Sequence, residues 1–153
     1  MALRFQRATL DEPVAQRLID ALNAELEERY PEEGANHFRL DEDEVVGHRG
    51  VFLVAYLDDE PVGCGALRRL DARDAEIKRM YVDPATRGSG LGRRLLEELV
   101  EQARRLGAQR IVLETGTRQV EALGLYRSAG FESIPRFGEY ANSPLSLCLA
   151  KKL

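Results

Sequence analysis

Apolar and polar side chains alternate from Leu3 to Ala8, the period of a strand with one face in a core and the other in water. Thr9-Leu10-Asp11-Glu12-Pro13 follows, and its capping residues and early proline predict a helix start. Val14, Leu18, Leu22 and Leu26 then fall on one helical stripe that stops before Pro31 and Gly34. From there to Gly50 the text is polar and irregular around the acidic cluster Asp41-Glu42-Asp43-Glu44, with room for one short second helix. Val51 to Leu57 and Val62 to Leu67 are apolar runs separated by Asp58-Asp59-Glu60-Pro61, which predicts an antiparallel hairpin, and Glu76 to Val82 is a third run in the series.

Leu91, Leu95, Leu96, Leu99, Val100, Ala103 and Leu106 trace one face of a helix that Gly107 closes. Ile111 to Leu113 reads as a short strand, and Val120 to Ala129 as a helix closed by Gly130. Extended structure resumes at Phe131 and ends in Leu145 to Ala150. No repeat, low-complexity tract or long linker interrupts the series, so the expectation is one domain over 1–153. Hairpin strands alternating with crossover helices predict an α/β architecture, a mixed sheet covered by helices.

Composition narrows the partners. A chain of 153 residues with 44% hydrophobic content supports a continuous core without staples. A net charge of −4 and a pI near 5.3 argue against a nucleic-acid partner, which would call for a basic face. The two cysteines, Cys64 and Cys148, lie in apolar runs with no CxxC, and two histidines are too few for a zinc set, so buried, reduced thiols and no metal are expected. No run is long enough to span a bilayer and Met1 to Arg7 lacks the core of a secretion signal, which together predict a cytoplasmic protein.

The chemistry concentrates in Met80-Tyr81-Val82-Asp83-Pro84-Ala85-Thr86-Arg87-Gly88-Ser89-Gly90-Leu91-Gly92, which runs from a strand through a glycine-rich turn into a helix. Such a turn lets backbone N–H groups approach a ligand, and the following helix adds unpaired amides and the positive end of its dipole, so a pyrophosphate is the natural ligand. A Walker loop would end in Gly-Lys-Ser/Thr, where this chain has Gly92-Arg93-Arg94; a dinucleotide fingerprint would need glycine in place of Arg93. Read alone, the turn also fits a connector without a ligand.

Arg87-x-x-Gly90-x-Gly92 after a strand resembles the acetyl-coenzyme A signature of the GNAT superfamily of N-acetyltransferases, Gln/Arg-x-x-Gly-x-Gly/Ala. Ala122-Leu123-Gly124-Leu125-Tyr126-Arg127-Ser128-Ala129-Gly130-Phe131 is similar to that family's later block, a helix with Ala-x-x-Leu-Tyr ending at Gly-Phe. The resemblance spans essentially the whole chain. It implies a mixed, mostly antiparallel twisted sheet of six to seven strands flanked by about four helices, with acetyl-CoA as co-substrate. It further implies pantetheine bonding to the backbone of Met80, Tyr81 and Val82 between splayed fourth and fifth strands. Amides from Gly88, Ser89, Gly90, Leu91 and Gly92 would hold the pyrophosphate, with Arg87 as a further contact. Tyr126 stands where the family carries the acid that protonates the departing thiolate, and Glu76 resembles the glutamate that serves as base in histone acetyltransferase members. Gln119 stands where many relatives have a cofactor-binding Asn, the same amide on a longer stem.

The acceptor is less legible. The acidic runs Glu25 to Glu33 and Asp41 to Glu44 suit a cationic amine, while Arg29, Arg39 or Arg68 suits a substrate carboxylate; His37 and His48 lie in the polar window without an assigned role. Phe137 to Pro144, by family analogy, shapes the acceptor pocket. The expectation is acetyl transfer to a primary amine of a small molecule by direct attack. A route through Cys64 or Cys148 is the weaker alternative, because no Cys-His-Asp spacing is recognisable. A protein or peptide N-acetyltransferase and a non-catalytic acyl-CoA sensor remain as alternatives, and a homodimer stays open.

Overall fold

The computed structural model describes residues 2–32 and 40–153; Gly34, His37 and Arg39 lie outside them. The elements run β1 (Leu3–Arg7), α1 (Pro13–Arg29), β2 (Gly50–Leu57), β3 (Glu60–Arg69), β4 (Asp74–Val82), α2 (Leu91–Arg105), β5 (Arg110–Gly116), α3 (Val120–Ser128), β6 (Glu132–Ile134) and β7 (Ser146–Lys152). The strands form one sheet in the order β1-β2-β3-β4-β5-β7-β6. Every neighbouring pair is antiparallel except β4 with β5.

Strand alternation sorts the core into two layers. Phe52, Val54, Cys64 and Ala66 pack under the α1 residues Ala15, Leu18 and Leu22. Val51, Leu53, Leu67, Ala75 and Ile77 face the other way, against Leu95, Leu96, Leu99 and Ala103 of α2 and Tyr126 of α3. Burying these stripes supplies most of the drive to fold, at roughly 25 cal/mol per Å² of apolar surface.

Three local differences from the sequence reading have physical causes. The hairpin turn is two residues, because Asp58 and Asp59 both adopt left-handed backbone (φ 49° and 69°), a conformation that Asp tolerates and that matches strand twist. Pro61 therefore lies inside β3, opposite Tyr56, where the β2–β3 register shifts and the missing N–H is tolerated. Three α-helices stand where about four were expected among the described residues. Among its described residues the polar window contributes the 3-10 turn Glu42–Val45, which extended Val46 and left-handed Gly47 (φ 61°) bring to an end. Strand β5 runs on to Gly116 because β7 pairs with it along its whole length, from Arg110↔Lys152 to Gly116↔Ser146. No helix among the described residues is long and apolar enough to cross a membrane.

Candidate functional site

The site is built where the parallel pair β4 and β5 comes apart. The two strands are paired from Asp74↔Arg110 to Ile77↔Leu113. At the closed end the Arg110 guanidinium donates to both Asp74 carboxylate oxygens, at 3.0 and 2.9 Å. Burial alone would raise the Asp74 pKa, but hydrogen bonds from Arg110 and Arg73 outweigh it and hold the carboxyl below its ordinary range. Beyond Ile77 and Leu113, β4 stays with β3 while β5 stays with β7, and a fork opens.

At the fork β4 is irregular. Its register against β3 shifts between Cys64 and Ala66, leaving Arg79 and Met80 off the ladder, and Arg79 has φ 56°. The Cys64 thiol donates to the Arg79 carbonyl at 3.3 Å. This extra residue breaks strand alternation. Lys78 and Arg79 both lie on the α1 side, Lys78 against Glu139 (3.3 Å) and Arg79 against Asn23 of α1 (3.3 Å). Met80 returns to the other side, where its sulfur meets the Tyr126 hydroxyl at 3.8 Å.

Two cavities meet in the fork. One is a groove of about 310 Å³ lined by Met80, Tyr81, Val82, Arg87, Gly88, Gly90 and Gly92 on one bank and by Gln119, Leu125 and Tyr126 on the other. Gly88 (φ 86°) and Gly90 (φ 85°) supply the left-handed backbone of the turn, and a Cβ on either would meet nothing within 4 Å. Gly92 is small for a different reason: a Cβ there would press on Leu125 at 3.3 Å. The first helical hydrogen bond of α2 runs from the Arg94 N–H to the Gly90 carbonyl, so the preceding amides of the helix start remain to meet an anion. A backbone-walled groove ending at such a helix start fits a phosphorylated, extended ligand of the CoA type. Ser89 and Leu91 do not line it: the Ser89 hydroxyl folds back to the Thr86 carbonyl (2.6 Å), and Leu91 buries against Ala55 and Val62. Arg87 does line it, with its guanidinium held by Glu25 of α1 (2.7 Å) and by the Val82 carbonyl (3.0 Å).

The second cavity, of about 100 Å³, lies on the α1 side of the fork. Its floor is Lys78 and Arg79 of β4 and Glu114 of β5; its walls include Leu26 of α1, Tyr30 just past its end, and Tyr140 and Ser146 from the C-terminal part. Leu22, Met80, Gln119 and Tyr126 line both cavities. The Gln119 side-chain oxygen accepts from the Gly116 N–H at 2.9 Å, leaving its NH2 group to donate.

Charge within the second cavity is arranged unevenly. Burial, with the nearby Glu76 charge adding to it, raises the Glu114 pKa; the Ser146 hydroxyl donates to Glu114 and, with Lys78, works in the opposite sense. The Tyr126 phenol, 7% exposed, is raised first by burial and then by Glu114, so it stays protonated through the neutral range. Glu76 is fully buried and lines neither cavity. Arg68 donates to one of its carboxylate oxygens (2.9 Å) and the Tyr140 hydroxyl to the other (2.7 Å). Both thiols are free and buried, and burial pushes Cys64 up to about 12, far from a thiolate nucleophile.

Four carboxylates of the acidic runs are met by arginine. Glu25 pairs with Arg29 and Arg87, Glu32 with Arg118, Asp43 with Arg49 and Glu44 with Arg68. Sequence reasoning missed Glu114, Lys78, Arg79 and Tyr30 as cavity-lining groups, whereas Tyr140 belongs to the Phe137 to Pro144 segment expected to shape the acceptor pocket. The available signal was a carboxylate directly after the apolar Ile111-Val112-Leu113 run, where an unpaired charge is expensive unless it faces a site.

Residues 15–131 match the Acetyltransferase (GNAT) family. A protein named IAA acetyltransferase from Azospirillum brasilense is 40% identical over 150 residues, covering 97% of this chain and 95% of that protein. A crystal structure from Klebsiella pneumoniae, of a protein assigned as an acyl-CoA N-acyltransferase, superposes with a TM-score of 0.85 at 30% identity, covering 99% of this chain and 97% of the other. A GNAT family acetyltransferase from Elizabethkingia anophelis with acetyl-CoA bound shares the fold, with a TM-score of 0.71 at 21% identity over 99% of this chain and 98% of that one. With the forked sheet, the glycine turn at a helix start and the match over most of its length, the chain belongs to the GNAT acetyltransferase family and is an acyltransferase.

Proposed function

We propose that this protein moves the acetyl group of acetyl-CoA to a primary amine of a small molecule by direct attack. The observation that carries the reading is that the glycine-turn groove and the second cavity share Met80, Gln119 and Tyr126, so that a donor in one and an acceptor in the other would meet there. Acetyl-CoA supplies the activated thioester. Gly88, Gly90 and the α2 start hold its pyrophosphate, and the β4 backbone near Met80, off the sheet ladder, offers hydrogen bonds to pantetheine and to the thioester oxygen.

Glu114 is the base. An amine with an ordinary pKa near ~10.4 reaches the site protonated, and a carboxylate raised by burial accepts that proton more readily than an exposed one. The freed lone pair forms the C–N bond as the C–S bond breaks. Tyr126 gives its hydroxyl proton to the sulfur and is restored by the second proton of the attacking nitrogen. Glu76, already bonded on both oxygens and outside the cavities, acts instead by fixing Tyr140 in the acceptor wall.

The test is release of free CoA thiol with a panel of amines as a function of pH. Glu114→Gln should lower kcat by about 10²–10⁴-fold and remove the acidic limb of the profile, and Tyr126→Phe should lower kcat by a similar factor. Full activity in Glu114→Gln with an unaltered profile would return the base role to Glu76 or to water. Acetyl-CoA should raise the melting temperature, since it binds only folded protein; no shift at saturation would sink the reading.

A further inference from the structure

We propose that the Ser146 and Ser143 hydroxyls form a proton exit from Glu114 to bulk water, which discharges the base while the acceptor still covers it. This rests on the acetyl-transfer reading, with Glu114 as base, and adds two residues to it. Transfer from an ammonium to a thioester sheds one proton overall: R–NH3+ and acetyl-CoA give the amide, CoA–SH and H+. In this site that proton ends on Glu114, on the floor of a cavity of about 100 Å³. An acceptor seated there fills the way in and parts the base from water.

The way out is built by strand pairing. Glu114 is opposite Cys148 of β7 and Gly116 is opposite Ser146, so Glu114 and Ser146 are diagonal neighbours on one face of the sheet. The Ser146 hydroxyl donates to a Glu114 carboxylate oxygen, and 2.7 Å separates its oxygen from that of Ser143. A turn keeps the two serines together: the Ser146 N–H donates to the Ser143 carbonyl at 3.1 Å, and Arg136 donates to the same carbonyl. Ser146 is buried in the cavity wall, whereas Ser143 lines neither cavity and is half-buried between exposed Asn142 and Pro144. Two hydroxyls thus join the cavity floor, its wall and the outer surface.

A hydroxyl donates and accepts at one oxygen, so it can hand a proton on without net change. Glu114 gives the proton it took from the amine to the Ser146 oxygen, as Ser146 gives its own to Ser143 and Ser143 gives its own to water. Each serine oxygen ends with the one proton it began with, and rotation of the hydroxyls resets the chain. Other groups surround Glu114 without leading outward. Glu76 and Lys78 act on it from β4, where Arg79 shares its cavity, and Tyr126 faces it from α3 and Tyr30 from just past α1. Cys148 of β7, with Glu139 and Tyr140 from the turn before that strand, completes the surroundings. Among the described residues the hydrogen bond to Glu114 comes from Ser146. Sealed, the complex keeps the proton that the amine gave up, and the share of neutral amine stops growing once Glu114 is ionised. With an exit it grows about tenfold per pH unit, up to the pKa of the amine itself.

The experiment uses the full chain, acetyl-CoA and the member of a primary-amine panel that is turned over fastest. Ser143→Val and Ser143→Thr are matched in shape and differ by the hydroxyl. Ser143→Val should lose about one pH unit's gain, roughly tenfold in kcat at pH 9 and much less at pH 7, with KM for both substrates unchanged, and Ser143→Thr should restore it. The solvent deuterium isotope effect on kcat should rise in Ser143→Val and return to the wild-type value in Ser143→Thr, a readout that packing alone does not move. Ser146→Ala should lower kcat in the same way and also carry the acidic limb to higher pH, because the hydrogen bond it removes holds the Glu114 pKa down. Equal kcat and equal isotope effects in Ser143→Val and Ser143→Thr overturn the inference, and loss of activity in Glu114→Gln then leaves the base role standing. Full activity in Glu114→Gln overturns both.

Discussion

The contact between Tyr30 and Gly116 offers a sharp test, because it ties α1 across the fork at one atom's width. A Cβ placed on Gly116 would come 1.9 Å from the Tyr30 hydroxyl oxygen, 2.3 Å from the ring carbon that bears it and 3.0 Å from the Gln119 side-chain oxygen. Ordinary non-bonded contact needs about 3.5 Å, so the Gly116→Ala change requires the ring to retreat by roughly 1.5 Å. Gly116 lies outside the left-handed region, so the cost is steric and owes nothing to backbone preference.

The ring cannot retreat freely. Tyr30 is buried, its oxygen accepts from the Arg118 N–H at 2.8 Å, and the Arg118 guanidinium lies 5.1 Å from its centroid while pairing with Glu32. Overpacking of this kind costs about 1–3 kcal/mol, and loss of the hydrogen bond adds about 1 kcal/mol. Gly116→Ala should therefore destabilise the protein by about 2–4 kcal/mol in urea titration. Tyr30→Ala alone should cost about 3 kcal/mol, yet the double variant should fall well short of the sum, since the small side chain at 30 makes room for the methyl. Tyr30 lines only the acceptor cavity, so Gly116→Ala should raise KM for the amine more than KM for acetyl-CoA. An unchanged denaturation midpoint, or a double variant that loses the full sum, would show that the ring does not rest on residue 116.

Three further outcomes follow from the charges and the turn. The folded-state pKa of Glu114 is raised, so the folded protein favours its protonated form, a preference fully present below the ordinary carboxylate range and lost as pH rises through the raised value. Glu114→Gln should then melt above wild type at pH 7–8, with the gap closing below about pH 4; a variant that melts lower at neutral pH refutes the assignment. Asp74 has the opposite sign: its lowered pKa contributes stability above the unfolded value near ~3.9 that is lost as pH falls, so Asp74→Asn should cost about 2–3 kcal/mol at pH 7 and less in acid. Gly90→Ala should cost about 1–2 kcal/mol from its left-handed backbone and weaken acetyl-CoA binding by calorimetry, whereas Gly92→Ala, which need only nudge Leu125, should cost less.

Much of this architecture was written locally. The helix faces, the hairpin and the turn from Arg87 to Gly92 depend on neighbours within a few residues, and the structure has them at nearly the expected bounds. What the sequence could not disclose depends on partners far along the chain. Glu25 and Glu44 read as a pool of negative charge until Arg87 and Arg68 come to meet them. Regular alternation along the Glu76 to Val82 run would put Lys78 and Arg79 on opposite faces, and only the register shift against β3 puts them on one. The apolar run ends the strand at Leu113, whereas pairing with β7 carries β5 three residues further.

The two glutamates show why distant geometry decides the chemistry. Glu76 and Glu114 lie on neighbouring parallel strands and face the same side of the sheet, so composition and alternation treat them alike. The difference is their position relative to the fork. Glu76 is opposite Val112 on a paired rung, where the strands are in hydrogen-bonding contact and Arg68 and Tyr140 seal the carboxylate from above. Glu114 is the first residue of β5 beyond the last rung, Ile77↔Leu113, where the partner strand has turned away and space for a ligand begins. A side chain before the fork can be reached only by the protein's own groups. One immediately past it can be reached by an amine, and its lone pairs are not already consumed by an arginine and a phenol. On that ground a one-rung shift of the fork, and no change in the identity of either glutamate, would be enough to exchange the roles proposed for them.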